Sequence, residues 1–419
     1  MTLAIRVLIG LVGGFLLGLA LAGGSSPVAT MTIAILTPMG TVFVNLIRMT
    51  VVPLVASMLV ASVGALTAPG GLGRTGVRAL LMSIGLLAAA AIGSALIAVP
   101  VLARIPIDQA AALALRGSTT AASQGAIVPS GAPTLAQWFV DLVPQNVVKA
   151  AADGAMLPVI VFAVMIGLAL TRVSEPKREA ALRVVDAFAD AMQRLVAWIL
   201  ALAPIGVFAL AVPLASRLGL SAAAAVVAYV ALVVALTVAA VAILLYPIGI
   251  LAGPMAPTAF AAYCAPSQAI AFASRSSLAA LPAMVESAEG AGLPPGASRV
   301  VLPLTLSVFH FGAAVAQTVG VVFLAHLFGV TLTPAQLVSV VMTVVLVSFA
   351  VPGVPGGSIM AMLPVLAAAN VPIEGVGILL AVDTIPDMFR TTANVTGALT
   401  LTAILARRET RIHEAQGGT

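Results

Sequence analysis

Apolar residues run along this chain in blocks longer than any ordinary strand, and they do not alternate with polar ones, so the element they predict is the helix. Crossing a bilayer takes about 20 apolar residues in a helix. The blocks at residues 3–23, 35–66, 77–101, 137–171, 184–213, 222–252, 297–328 and 373–406 reach or exceed that length, which predicts eight spanning helices, the longer ones tilted. The first block has the basic and apolar character of a signal peptide. It continues into the same multi-span pattern, however, and is read as the first membrane helix.

Two segments depart from this pattern. Residues 256–290 and 333–369 are each a pair of apolar stretches too short to cross, interrupted at Ala273-Ser274-Arg275-Ser276-Ser277 and at Val351-Pro352-Gly353-Val354-Pro355-Gly356-Gly357-Ser358. Each predicts a re-entrant hairpin, because non-helical backbone at membrane depth is tolerated only where protein or a water-filled cavity satisfies it. The spacing repeats: His310 follows Ser276 by 34 residues, and Arg390 follows Gly356 by 34. One full span separates the hairpins, so they must open on opposite sides. Two marginal helices with incidental Gly and Pro would explain one interruption but not two in matched positions. An inverted repeat with broken helices meeting near the midplane is the mark of a secondary transporter.

Composition narrows the class further. Of 419 residues 61% are hydrophobic and 8% charged, where a soluble domain carries about 25% charged residues. A water-soluble globule and a disordered chain are both excluded, and the runs are too long for barrel strands. The single cysteine, Cys264, excludes an internal disulfide, and His310, His326 and His413 lie too far apart in sequence for a zinc motif, so no metal site is expected. The 19 Lys and Arg residues are scattered and form no patch for nucleic acid. They report topology instead. Arg6, the pair Arg74 and Arg78, the group Arg172, Lys177, Arg178 and Arg183, and the group Arg407, Arg408 and Arg411 place both termini in the cytoplasm of an inner-membrane protein. Residues 24–47 hold no basic residue, as an outside loop should, while Arg104 and Arg116 are mild exceptions.

The last block carries Asp383, Asp387, Arg390 and Asn394 at offsets 0, 4, 7 and 11, which lie on one helix face. Charges in a bilayer centre are costly unless paired, so this face must look into protein or a cavity. A structural Asp387–Arg390 pair would neutralise itself but leaves Asp383, Thr391 and Asn394 unexplained. An arginine binds a carboxylate through two N–H groups and an aspartate binds an ammonium, so the face suits a zwitterion, best an acidic amino acid. Ser276, Ser277 and the free N–H groups of half-helix N-termini would serve the other carboxylate.

The run Asp387-Met388-Phe389-Arg390-Thr391-Thr392-Ala393-Asn394-Val395-Thr396-Gly397 resembles the last-helix motif of the dicarboxylate/amino acid:cation symporter family, the glutamate transporter family. Arg275-Ser276-Ser277 with Leu281-Pro282 resembles its first hairpin tip and Gly353-Val354-Pro355-Gly356 its second. Residues 49–53, Leu157-Pro158 and Ala203-Pro204-Ile205-Gly206-Val207-Phe208 are also similar, so the resemblance covers almost the whole chain. It implies an all-α membrane protein with eight transmembrane helices, two re-entrant hairpins, inverted repeats and a glutamate-transporter-like elevator fold, assembled as a homotrimer. The implied division is scaffold helices in 1–75 and 137–215, a transport domain in 76–136 and 216–408, and a cytoplasmic tail at 409–419. The implied substrate-binding residues are Arg275, Ser276, Ser277, Val354, Gly356, Asp387, Arg390, Thr391 and Asn394. By position, Asp387 receives the amino group, Arg390 the side-chain carboxylate and Asn394 the α-carboxylate.

Departures from the family pattern bear on coupling. Where members usually read Asn-Met-Asp-Gly-Thr, this chain has Phe309-His310-Phe311-Gly312-Ala313, and a second cation-binding carboxylate is replaced by Ala398. Met82, Leu86 and Leu87 stand where hydroxyls often lie near the cation, and Ala313 lacks a hydroxyl that helps hold the substrate. Sodium needs several oxygen ligands, which these side chains do not supply. The residue gained is His310, whose imidazole ordinarily titrates near about 6.5 and can carry a proton. Asp383 and Asp387 are rival proton carriers, while the position of a proton-binding glutamate in other members is Gln317 here. The expected function is secondary active transport of aspartate or glutamate, proton-coupled and sodium-independent, with no cofactor. The rivals are a sodium symporter using backbone ligands, an uncoupled exchanger and a C4-dicarboxylate carrier. No nucleophile–base pair or filter motif suggests an enzyme or a channel.

Overall fold

The computed structural model describes residues 3–22, 27–65, 73–105, 140, 142–153, 155–218, 220–294, 302–351 and 357–415. Among these residues the fold is helical, without strands. The first three helices are α1 (Leu3–Leu21), α2 (Pro27–Ala65) and α3 (Gly73–Leu102). Then come α4 (Val147–Ala152), α5 (Met156–Leu170), α6 (Glu175–Ala201) and α7 (Ala203–Leu218). By length and composition alone, Pro27–Gly64, Arg78–Leu102 and Ala224–Ala252 can each cross a membrane, and the α6–α7 pair makes a fourth if counted as one span.

Several blocks that read as uninterrupted spans are broken, and proline explains most of the breaks. The expected span at 137–171 is instead a turn, the short α4 capped by Asn146 (whose Oδ1 accepts from the N–H groups of Val148 and Lys149), and then α5. Pro158 on the first turn of α5 has no N–H to bond back into a preceding turn, so a helix can start there but not run through unbroken. The span expected at 184–213 starts earlier, at Glu175, and bends by 56° at Leu202, just ahead of Pro204. The block at 222–252 forms α8 (Leu220–Ala240), a π-turn at Val241–Leu245 and α9 (Tyr246–Ala252), with Pro247 beside the widened turn.

The first hairpin segment forms α10 (Pro257–Ser274) and α11 (Ser277–Gly290), packed on each other. Its turn falls at Arg275, which is left-handed (φ 54°, ψ 32°) and closes α10 by donating its N–H to Ala271 O at 2.9 Å. The seventh block is again broken, into α12 (Leu302–Val308) and α13 (Phe311–Leu327). The second hairpin segment begins as α14 (Pro334–Val347), opened by a capping box between Thr333 and Gln336, and tightens into a 3-10 turn at Ser348–Ala350. It resumes as α15 (Gly357–Met360) and α16 (Leu363–Ala368), the latter packed back on α14. The last block is split too, into α17 (Val376–Val382) and α18 (Thr384–Ala415), because Pro386 cannot bond to Val382. The chain expected as a tail from 409 remains helical to Ala415.

Packing follows small residues where backbones meet. Gly10, Gly14 and Gly18 line one face of α1, and a Cβ on any of them would strike the backbone of α7 at Pro204, Phe208 or Val212. Helices α1, α2, α5, α6 and α7 pack among themselves, while α18 gathers α8, α10, α11, α12 and α13, and α3 lies on α13 and α14. The two sets touch where α17 meets α7 and α1, and where the Ser62 hydroxyl of α2 donates to Phe349 O at 2.9 Å. The functional residues lie inside the second set, with α13 buried almost along its whole length.

Candidate functional site

At the start of α18 the residues flagged by their polarity converge. Asp383 sits on the break between α17 and α18, yet its carbonyl still accepts the Asp387 N–H at 2.7 Å, which keeps Asp383 and Asp387 in helical register. Arg390 is 1% exposed and binds both carboxylates. Its Nη1 and Nη2 donate to the two oxygens of Asp383 at 2.8 and 3.0 Å, a parallel fork, and Nη2 also donates to Asp387 Oδ1 at 2.6 Å. The Thr391 hydroxyl reaches the same Asp387 oxygen at 3.5 Å. Arg390 thus keeps the Asp387 partner that spacing alone suggested and adds a fork onto Asp383, seven residues away.

Two atoms of the cluster have no hydrogen-bond partner although both are buried: Asp387 Oδ2 and Arg390 Nε. One is a carboxylate acceptor and the other a guanidinium donor. A buried charged group left partly unsatisfied costs free energy that a ligand can recover.

Asn394, one turn on, faces a different element. Its Oδ1 accepts the N–H groups of Gly312 and Ala313 at 2.7 and 3.3 Å, so it caps the N-terminus of α13 from 82 residues away. An atom that accepts two N–H groups must be the oxygen, which fixes the amide and leaves its NH2 facing away from α13. The cap works because α13 begins against α18: a Cβ on Gly312 would overlap the carbonyl of Arg390. This explains the break at Phe309-His310, which is unwound so that the first N–H groups of α13 point into the site.

His310 forms that break, with φ −103° and ψ 67°. Its Nδ1 lies 2.8 Å from Ser348 O and so carries the hydrogen, its backbone N–H donates to Ser348 Oγ at 3.1 Å, and the Ser348 hydroxyl donates to Val308 O at 3.2 Å. Nε2, left as an acceptor, is buried without a partner. On either side Phe309 and Phe311 are fully buried, their rings 6.0 Å apart, and Gly397 leaves room for the Phe309 ring. Ala398 is buried as well. Gln317 holds the second hairpin segment, donating to Ser358 O at 3.0 Å.

The first hairpin is tied to α18 through Gln268, which donates to Thr396 Oγ1 at 2.8 Å, and through the edge-to-face pair Phe272–Phe389, 5.3 Å apart. At its tip Ser276 caps α11 by accepting the Ala279 N–H at 3.3 Å, and Ser277 is buried. Val354 and Gly356 lie outside the described residues. One group that the sequence pattern passes over is Tyr229 of α8, whose ring stacks on Phe323 of α13 and whose buried hydroxyl has no hydrogen-bond partner. The available signal was a tyrosine well inside an apolar run, away from the interfacial belts where membrane tyrosines collect.

Comparison with known proteins adds an independent line. Residues 3–408 match the Sodium:dicarboxylate symporter family. The chain is 29% identical to a proton/glutamate-aspartate symporter of Escherichia coli (strain K12), over 97% of this chain and 93% of that protein. It is 29% identical to a proton/sodium-glutamate symport protein of Bacillus caldotenax, over 99% of this chain and 96% of that one. It is 30% identical to the neutral amino acid transporter B(0) of Homo sapiens, over 94% of this chain and 78% of that protein.

Proposed function

Because this chain belongs to the sodium:dicarboxylate symporter family, and is a secondary transporter rather than an enzyme, we propose that it carries an acidic amino acid, aspartate or glutamate, coupled to protons and independent of sodium. The observation that carries the reading is the pair of unsatisfied buried atoms at the head of α18. Asp387 Oδ2 is an acceptor for a substrate ammonium, and Arg390 Nε a donor for a carboxylate. A dicarboxylate without an amino group has no use for the first. A neutral amino acid leaves Arg390 no ligand carboxylate beyond the one at its α-carbon.

Within this proposal Thr391 stands beside Asp387, the Asn394 amide offers its NH2 to the α-carboxylate, Arg275, Ser276 and Ser277 close the site from the first hairpin tip, and Val354 and Gly356 complete the substrate-binding set. Charge arithmetic supports a coupling cation. Asp383 and Asp387 balance Arg390 and Arg275, and an acidic amino acid adds one net negative charge, which one proton offsets. His310 Nε2 is an acceptor without a donor and is the first proton site; Asp383, whose arginine the substrate would claim, is the second. Phe309, Phe311 and Ala398 put hydrocarbon where sodium would need oxygen. The surrounding architecture in this reading is eight transmembrane helices with two re-entrant hairpins and both termini cytoplasmic in an inner membrane. A homotrimer would be built on α1, α2, α5, α6 and α7, past which the remaining helices move as an elevator.

Uptake of radiolabelled aspartate by proteoliposomes, with sodium and pH gradients imposed separately, tests this directly. Accumulation driven by an inward proton gradient in sodium-free buffer is expected. Accumulation that requires sodium identifies backbone ligands as sufficient; aspartate counterflow that ignores both gradients identifies an exchanger. Preference for succinate over aspartate would refute the role given to Asp387.

A further inference from the structure

The break between α12 and α13 is held from two sides. In an unbroken helix Val308 O would take the Gly312 N–H, and the His310 N–H would go to Leu306 O. Gly312 donates to Asn394 of α18 instead. A carbonyl and an N–H on buried residues therefore need other partners. One hydroxyl serves both: Ser348 Oγ accepts the His310 N–H at 3.1 Å and donates to Val308 O at 3.2 Å. The carbonyl of the same residue takes the His310 Nδ1–H at 2.8 Å. Ser57 and Ser339, by contrast, return their hydroxyls to carbonyls of their own helices. Ser348 is buried on the 3-10 turn of the second hairpin segment, 40 residues from Val308 in sequence.

Three bonds from one residue thus fix both the path of the break and the ring it carries. A carbonyl can only accept, so Nδ1 keeps the hydrogen and Nε2 is the nitrogen with a free lone pair. Without the hydroxyl, Ser348 would be docked on the break by the ring alone, and the ring could leave the carbonyl and exchange tautomers. We propose that Ser348 is a positioning residue for His310. Its hydroxyl splints the break so that its carbonyl holds the imidazole as the Nδ1–H tautomer, leaving Nε2 as the nitrogen that takes a proton. The consequence for transport rests on the proton-coupled reading; the tautomer does not. The second hairpin segment, rather than the helix that follows His310, decides which of the two ring nitrogens is available.

The test is the nitrogen NMR spectrum of isotope-labelled histidine in the full chain, reconstituted in liposomes at alkaline pH, where an imidazole is neutral. Of the three histidines, His310 is identified by the signal missing from His310→Gln. Wild type should show a protonated Nδ1 and a bare Nε2. Ser348→Ala keeps the carbonyl and removes the splint, so the ratio of the two tautomers should fall about tenfold, as for loss of one hydrogen bond. Ser348→Thr, which restores the hydroxyl, should bring the ratio back towards wild type. If Ser348 only stabilised the fold, the alanine variant would melt earlier with its tautomer unmoved. That result overturns the proposal, as does a wild-type ring protonated on Nε2. Should the alanine variant fail to reconstitute, Ser348→Cys decides, because it keeps the volume but is a weaker donor and acceptor. Its ratio should move in the same direction, and an unmoved ratio refutes the splint. In transport, Ser348→Ala should lower pH-driven aspartate accumulation relative to gradient-free exchange, and Ser348→Thr should not. Accumulation untouched by a shifted tautomer overturns the link to the proton. Wild type that ignores the pH gradient while its tautomers behave as expected refutes the proton-coupled reading alone, and the positioning of the ring stands.

Discussion

Arg390 carries three hydrogen bonds to two carboxylates in a setting that admits almost no water. Breaking such a pair from one side leaves uncompensated buried charge, at a cost of about 3–5 kcal/mol. Arg390→Cys should accordingly abolish aspartate uptake and shift the transporter towards neutral amino acids, read by competition against labelled aspartate and serine. His310→Gln should keep substrate exchange but lose accumulation driven by a pH gradient, because an amide in place of the imidazole offers no titrating nitrogen. If the glutamine variant still accumulates aspartate, Asp383→Asn becomes the variant to measure. At this scale the sequence was highly legible: four polar residues in one apolar block stand out by their cost, and that cost is why they sit together. Tyr229 was not legible, because an aromatic in an apolar run reads as core, and only the fold shows its hydroxyl buried without a partner.

Among the elements, the breaks divide by how far away their cause lies. Those at Pro158, Pro204 and Pro386 are local, since a ring without an N–H can be read wherever it occurs, although long hydrophobic blocks concealed them. The hairpin turn at Arg275 was visible from its serines. The break at Phe309-His310 was not, because both its flanks are apolar and its cause lies on α18, in the Asn394 cap and the Arg390 carbonyl against Gly312. Gly312→Ala isolates that cause. The added methyl meets backbone rather than a side chain that can swing away, so α13 must shift, costing about 1–3 kcal/mol by overpacking. A lower melting temperature and weaker aspartate binding are both expected, from thermal unfolding and binding on the same purified protein. Unchanged binding with lowered stability would separate the packing of α13 from the substrate site.

For the molecule as a whole, replacing sodium by choline should leave aspartate transport intact, checked as initial uptake rate at fixed pH. A steep, saturable sodium dependence would show that carbonyl oxygens around the Phe309–Phe311 segment bind the ion unaided. The internal pairing of Arg390 with Asp383 has one more consequence, concerning the half of the cycle in which nothing is carried. A binding site with unmatched charge is trapped when empty, since moving it through a region of low dielectric means moving that charge. Arg390 and Asp383 already pair within the fold, so on the reading proposed above the aspartate that yields the arginine to cargo takes it back once cargo leaves. A protein built this way would return unloaded without a replacement passenger, which is what separates a pump capable of net uptake from one that can only swap one molecule for another.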